Sequence, residues 1–174
     1  MTSKSVIRTC IIIAIILANI SCDQISKRLV RDHLGPDQMI GMLDNHLTLT
    51  RTENTGAFLS IGQSLPGSSK HLLLSFLPLV ALVIALLYVL RRSDMSPYQL
   101  LALCLIIGGG IGNIVDRVIH GSVTDFLYID LGFVHTGVFN VADLSITTGA
   151  LMILFRPGLL GKPKRNMPAE GDPV

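Results

Sequence analysis

The chain has no tryptophan, 5% aromatic residues and 15% charged residues among its 174 positions. Its formal net charge is only +2, and so weak a charge with so few aromatics argues against nucleic acid as a partner. Cys10, Cys22 and Cys104 are odd in number and lie in apolar runs, so no disulfide framework is predicted. The five histidines lack a metal-ligand spacing such as His-Glu-x-x-His, and we therefore predict no metal site.

Apolar residues, in contrast, are abundant. They make up 49% of the chain and the mean hydropathy is +0.58, which indicates a membrane protein. We predict a single integral membrane domain over residues 1–158 and a disordered, polar cytoplasmic tail over 159–174. Four apolar runs are long enough to cross a hydrocarbon core of about 30 Å as helices. These predicted spans are 6–27, 71–90, 97–119 and 137–155.

The first apolar run, VIRTCIIIAIILANISC at 6–22, has a second interpretation. It can be the hydrophobic region of a signal peptide that ends at Ser21 and Cys22, as in a lipoprotein. The residue three positions before the cysteine is then Asn19, where lipoprotein precursors have leucine. Three later apolar runs also argue against a simple anchored domain, so we favour a spanning helix.

The distribution of Lys and Arg predicts the orientation of the chain, because positively charged loops stay in the cytoplasm. Four spans with both termini in the cytoplasm place most of the basic residues in cytoplasmic segments and most of the acidic residues at the outer face. We therefore predict two outer segments, one after the first span and one between the third and fourth spans.

The two outer segments carry different signals. The segment at about 34–68 contains HLTLTRTENTGAF, where Leu and Arg alternate with Thr from 47 to 52 before a turn at Asn54-Thr55-Gly56, which predicts a short β segment. The segment at 120–136 is predicted to be a short connection that contains Asp125. The fold class is thus membrane all-α, with four transmembrane helices and a small outer β segment.

Polar residues stand at helical spacing at the outer ends of three spans, so each group shares one helix face. The groups are Asp23 and Lys27 on the first span, Asn113, Asp116 and Arg117 on the third, and Asn140 and Asp143 on the fourth. We expect these faces to meet at one level near the outer side of the membrane.

Several of these features have alternative interpretations. GGGIG at 108–112 favours close helix packing over a hinge, and it does not fit a phosphate-binding loop. Asp116 and Arg117 are interpreted as an interfacial ion pair that orients a helix end. Lys27 either extends its ammonium group to the lipid headgroups or has a functional role. A serine nucleophile at Ser122 or Ser145 is unsupported, since neither has a base nearby in sequence.

Asp125 and Asp143 have apolar neighbours and no adjacent basic residue. Two carboxylates held close together in such surroundings do not both ionise easily, so the pair shares a proton and can act as acid and base on a peptide bond. The residues alone also allow a transporter or proton-conducting protein that uses the same carboxylates. That class predicts acids at mid-membrane and usually repeated spans, neither of which the sequence indicates.

Five ordered motifs carry a family resemblance. They are DQISK at 23–27, TENTGAF at 52–58, GGGIGNIVDR at 108–117, VTDF at 123–126 and FNVADLSI at 139–146. With these motifs the chain resembles the lipoprotein signal peptidases, or type II signal peptidases, of bacterial inner membranes. Any one motif alone is weak, but the resemblance covers nearly the whole chain.

The resemblance implies an intramembrane aspartic endopeptidase that removes the signal peptide from diacylglyceryl-modified prolipoproteins by cleaving before the lipidated cysteine. It assigns Asp125 and Asp143 as the catalytic dyad that activates water. It also implies a set of substrate-binding or supporting residues: Asp23, Lys27, Asn54, Gly56, Asn113, Asp116, Arg117 and Asn140.

The resemblance further implies a small periplasmic β cradle after the first helix and an active site near the periplasmic face of the inner membrane. No metal or other cofactor is implied. The expected partners are prolipoproteins, membrane lipids and globomycin-type peptide inhibitors, and we expect a monomer.

Overall fold

The computed structural model describes residues 3–36, 38–56 and 72–155. The predicted tail at 159–174 and the later part of the predicted outer β segment lie outside these residues. The described chain forms, in order, α1 (Ser3–His33), β1 (Met39–Met42), β2 (Leu47–Asn54), a π-helical turn (Leu72–Phe76) that leads into α2 (Leu77–Arg91), α3 (Pro97–His120), β3 (Val123–Ile129) and α4 (Val141–Leu154).

Three helical segments of the described chain are long and apolar enough to cross a membrane: Ser5–His33, Leu72–Arg91 and Pro97–His120. The fourth helix, α4, has 14 residues and a length of about 21 Å, which is less than a hydrocarbon core of about 30 Å. The predicted fourth span was therefore too long at its start. Helix α4 begins at Val141 because Asn140 caps it and Phe139 pairs with Leu127 of β3 instead of joining the helix.

The ends of α1 and α3 have clear physical causes. Helix α1 continues to His33, beyond the predicted end of the first span. Val30 of this extension and Leu34, just after the helix, pack against Phe126 of β3. Helix α3 starts at a capping box in which Ser96 and Gln99 satisfy each other's backbone N–H groups. It ends at Gly121, whose φ of 74° suits a residue without a side chain.

The strands form an antiparallel sheet with the order β1-β2-β3. Strand β2 confirms the β segment predicted from the alternation at 47–52. Strand β3 corrects the prediction of a simple connection at 120–136, because Val123–Ile129 pairs with β2 and places Asp125 opposite Thr52. The sheet therefore joins two segments that are distant in sequence.

Glycines bring α3 and α4 into close contact, which confirms the packing interpretation of the glycine-rich stretch. Helix α3 continues through 108–112 without a break. A Cβ atom on Gly109 would lie 2.5 Å from the carbonyl oxygen of Ala142, and one on Gly149 would lie 2.5 Å from that of Ala102. Since these oxygens belong to backbone, the helices have no room for a methyl group at either position.

Replacing Gly109 with alanine is expected to lower the free energy of unfolding by about 1–3 kcal/mol, the usual cost of overpacking. The added methyl group must push α4 away from α3 at Ala142, next to Asp143. Thermal unfolding in detergent measures the effect. Gly35→Ala is the control, since its new Cβ would have its nearest neighbour at 3.8 Å. Equal Tm values for the two variants would contradict the packing argument.

Candidate active site

Buried polar side chains from α1, α3, α4 and β3 meet in one cluster, as the sequence predicted for the three helix ends. The buried members of this cluster are Asp23, Lys27, Asn113, Asp116, Thr124, Asp125 and Asn140. Each has hydrogen-bond or ion-pair partners in another element. These contacts determine the positions of Asp125 and Asp143.

Lys27 lies at the centre of the cluster and is fully buried, so the interpretation that it extends to the lipid headgroups is wrong. Its Nζ lies 2.8 Å from Asp23 Oδ2 and 3.1 Å from Asp116 Oδ2. It also donates a hydrogen bond of 2.9 Å to Asn113 Oδ1. An ammonium group has three N–H donors, and here each has an acceptor.

Asp116 and Arg117 are not partners of each other, which corrects the predicted ion pair. Asp116 faces Lys27 and Arg31, at 3.1 and 3.6 Å. Arg117 donates to the carbonyl oxygen of Gly56 at 3.0 Å and to that of Asn113 at 3.4 Å. Consecutive helical residues point about 100° apart, so the two side chains serve different neighbours.

Asp125 lies on β3 and accepts hydrogen bonds from two amide side chains. Asn140 Nδ2 donates to its Oδ1 at 2.6 Å, and Asn54 Nδ2 donates to its Oδ2 at 2.9 Å. Burial raises the pKa of Asp125 from its ordinary value of 3.8 to about 6, and the charge of Asp143 acts in the same direction against these two hydrogen bonds. Asp125 can therefore carry a proton at mildly acidic pH.

Asp143 lies in the first turn of α4, where a negative charge is favourable. Its backbone N–H donates to Asn140 Oδ1 at 2.9 Å, and its Oδ1 accepts from Asn113 Nδ2 at 2.8 Å. Asn140 Nδ2 also donates to Asn113 Oδ1 at 3.2 Å. Two asparagine amides thus link the carboxyl groups of Asp125 and Asp143 in one hydrogen-bond network.

Asp125 and Asp143 both line a cavity of about 400 Å³. Asn54 also lines the cavity, and its Oδ1 accepts the N–H of Gly56 at 2.9 Å. The rest of the lining comes from α4 and from the segment before it, with apolar contributions from Val138, Phe139 and Leu144 and polar ones from His135, Thr136 and Thr147. The two acids thus belong to one partly apolar cavity.

Sequence reasoning missed Gln24 and Thr124. Gln24 Nε2 lies within hydrogen-bond distance of Asp23 Oδ2, Gly112 O and Asp116 Oδ1, at 3.1 to 3.2 Å. Thr124 donates its backbone N–H to Asp116 Oδ2 at 3.2 Å. The position of Gln24 beside Asp23 in DQISK could have indicated that Gln24 belongs to the polar cluster. The backbone N–H of Thr124 leaves no such signal in the sequence.

Metal chemistry has no obvious site in the part of the chain that the structure describes. No group of three or more His, Cys, Asp or Glu side chains there is arranged to hold a metal ion. The buried carboxylates of Asp23 and Asp116 are instead paired with Lys27.

Comparisons with known proteins agree with one another. The family model of signal peptidase (SPase) II matches residues 15–157. A lipoprotein signal peptidase of Streptococcus pneumoniae is 33% identical over 83% of this chain and 90% of its own length. One of Chlorobium phaeobacteroides is 38% identical over 76% of this chain and 86% of its own length.

A solved bacterial membrane enzyme superposes with a TM-score of 0.73 at 25% identity, covering 82% of this chain and 84% of that one. The fold, the extent of the family match and the identity to these relatives all point the same way. The chain belongs to the signal peptidase II family of aspartic endopeptidases.

Proposed function

We propose that this protein removes the signal peptide from diacylglyceryl-modified prolipoproteins by hydrolysing the peptide bond before the lipidated cysteine. The relatives named above are lipoprotein signal peptidases, which supports this substrate class. The observation that carries the proposal is that Asp125 and Asp143 line one cavity and are linked through Asn113 and Asn140.

The two acids have different environments, and this supports different roles. Asp143, at the start of α4 and with Asn113 as donor, is the ionised base that takes a proton from the attacking water. Asp125, whose pKa is raised to about 6, is the acid that protonates the developing oxyanion. A C–O bond forms to the water oxygen and the C–N bond breaks. The amine leaves with the proton that Asp143 took from water, and Asp125 recovers its own proton as the tetrahedral intermediate collapses.

The neighbours of the dyad suit a bound peptide. Arg117 holds the turn at Gly56, and its buried Nε has no hydrogen-bond acceptor among the described residues. Val138, Phe139 and Leu144 offer apolar surface to the side chains or acyl chains of the substrate. Asn54, Asn113 and Asn140 keep the two acids in place.

The membrane arrangement follows from the same mechanism. The acyl chains of the substrate stay in the bilayer while its scissile bond reaches water, so the dyad belongs at the edge of the hydrocarbon. We place the sheet and the cavity at the periplasmic face of the inner membrane, both termini in the cytoplasm, and residues 1–158 in one domain. Helix α4 then crosses as a short fourth span, and the enzyme acts as a monomer that globomycin-type peptides occupy at the same cavity.

Cleavage of matched substrates tests the function. The purified protein in detergent is expected to cut a diacylglyceryl-modified prolipoprotein and to leave the same precursor with an unmodified cysteine intact. Mass spectrometry should locate the cut immediately before the modified residue. Equal cleavage of both precursors would contradict the lipid requirement, and solute or proton flux in liposomes without any cleavage would favour a transporter.

A further inference from the structure

We propose that the buried ion triad of Asp23, Lys27 and Asp116 sets the separation between Asp125 and Asp143. This inference rests on the proposed function, because it concerns the spacing of the two acids assigned there. The three members of the triad are fully buried, and none of them lines the cavity. They are positioning residues, and each of the two carboxylates holds the backbone next to one acid of the dyad.

The first arm of the triad fixes Asp143. Asp23 Oδ1 accepts the backbone N–H of Ala142 at 2.9 Å, one residue before Asp143. The N–H groups of a first helical turn have no partner within the helix, and Asp23 supplies one from α1. The start of α4 is thereby tied to the same carboxylate that contacts Lys27.

The second arm fixes Asp125 in the same way. Asp116 Oδ2 accepts the backbone N–H of Thr124 at 3.2 Å, one residue before Asp125. Thr124 is fully buried, so this N–H has no access to water and depends on the carboxylate for its hydrogen bond. Strand β3 is thereby tied to the end of α3.

Lys27 joins the two arms. Its ammonium group lies between Asp23 and Asp116, at 2.8 and 3.1 Å, so the two tethered backbones are held on either side of a single nitrogen. Its third hydrogen bond, to Asn113 Oδ1, turns the Nδ2 of this amide toward Asp143. Lys27 therefore positions Asp143 both through Asp23 and through Asn113.

The chemistry explains why such a device is useful. Two carboxylates act together on one water molecule only within a narrow range of separation, and a misplacement of about 1 Å costs about 100-fold in rate. Apolar residues of similar volume often stabilise a fold as well as buried ion pairs do. They cannot, however, accept hydrogen bonds from Ala142 and Thr124.

The test combines Lys27→Met with the double variant Lys27→Met, Asp116→Asn. The native triad has two carboxylates and one ammonium group, so its net charge is about minus one. The double variant keeps only the carboxylate of Asp23 and therefore has the same net charge. Arg28→Met is the matched control, because Arg28 is the next residue on α1 and its side chain is 80% exposed. We expect kcat for the lipidated substrate to fall by about 100-fold in both triad variants, with KM little changed and the control normal.

The pH profile of kcat/KM distinguishes a changed distance between Asp125 and Asp143 from a general loss of folded enzyme. When the acids move apart, the charge of Asp143 raises the pKa of Asp125 less, so the high-pH limb of the bell-shaped profile moves toward the low-pH limb and the two converge. The charged or titratable groups near the two acids include Lys27 on α1, Asp116 and Arg117 on α3, and His135 before α4. The double variant Lys27→Met, Asp116→Asn leaves Arg117 and His135 in place and keeps the net charge of the triad. Convergence of the two limbs in this variant therefore indicates a larger distance between Asp125 and Asp143.

Three results would overturn the inference: a normal kcat in a folded triad variant, a parallel shift of both limbs, or a lower amplitude with an unchanged profile. If the Lys27 variants do not fold, Asp23→Asn and Asp23→Leu decide. Asparagine retains an oxygen acceptor for Ala142, so it should preserve at least about ten times more activity than leucine, and equal activity would refute the tether. Retained cleavage in Asp125→Asn or Asp143→Asn would instead refute the dyad itself.

Discussion

Asp125→Asn and Asp143→Asn are each expected to reduce kcat by about 10²- to 10⁴-fold, the usual contribution of a positioned acid or base. Asparagine has nearly the same volume as aspartate but neither accepts nor releases a proton at working pH. In the proposed mechanism, loss of Asp143 removes the group that deprotonates water. Loss of Asp125 removes the proton for the developing oxyanion, so each variant is slowed.

The measurement is cleavage of the lipidated prolipoprotein in detergent, with substrate binding and Tm recorded for each variant. Asp32→Asn is the control, since this acid lies near the C-terminal end of α1 and its side chain is 56% exposed. It should cleave normally. Full activity in either dyad variant would remove the proposed mechanism, whereas loss of folding in one of them would leave the other to decide.

The sequence was informative where local pattern and structure coincide. Alternation at 47–52 predicted β2, and helical spacing predicted that Asp23 and Lys27 share a face, where the structure has Lys27 Nζ 2.8 Å from Asp23 Oδ2. The sequence also predicted that polar residues from three helix ends meet, because all three groups were expected at the same depth in the membrane. Each of these inferences needed only neighbours in sequence or a shared level in the membrane.

The sequence was less informative where the partner is distant. Strand β3 forms because Val123–Ile129 finds the edge of β2, about 75 residues earlier. Helix α4 begins at Val141, later than the predicted start at 137, because Phe139 pairs with Leu127 of that strand. Neither partner is visible in a window of local residues, so an apolar stretch before Asn140 resembled the beginning of a span.

Lys27 shows the same limit for the site. A lysine near the outer end of a span is compatible with lipid headgroups or with a buried role, and the local pattern does not separate the two. The outcome depends on Asp116 and Asn113, which α3 contributes. The backbone donors of Ala142 and Thr124 are further removed from prediction, because every residue except proline has an N–H group.

Cleavage is expected to depend on pH through the proton that Asp125 carries. The kcat/KM for the lipidated substrate is expected to fall as pH rises through about 6, since the free enzyme then loses the proton of Asp125, whose pKa is raised to about 6. A high-pH limb that lies several units above 6 would contradict the assignment of Asp125 as the acid.

The pH dependence of folding stability gives an independent check on the raised pKa of Asp125. Asp125→Asn, although inactive, is expected to gain stability relative to the unmodified chain as pH rises. The pKa of Asp125 is higher in the folded chain than its ordinary 3.8, so the folded state binds the proton more tightly. Ionising Asp125 therefore costs stability as pH rises from about 4 to about 6, by about 3 kcal/mol at most, and no further above that window. Asp125→Asn removes this cost. Its Tm relative to the unmodified chain should thus increase between about pH 4 and about pH 6 and then stay level up to about pH 8. A constant difference across the whole range would show that burial does not raise the pKa of Asp125.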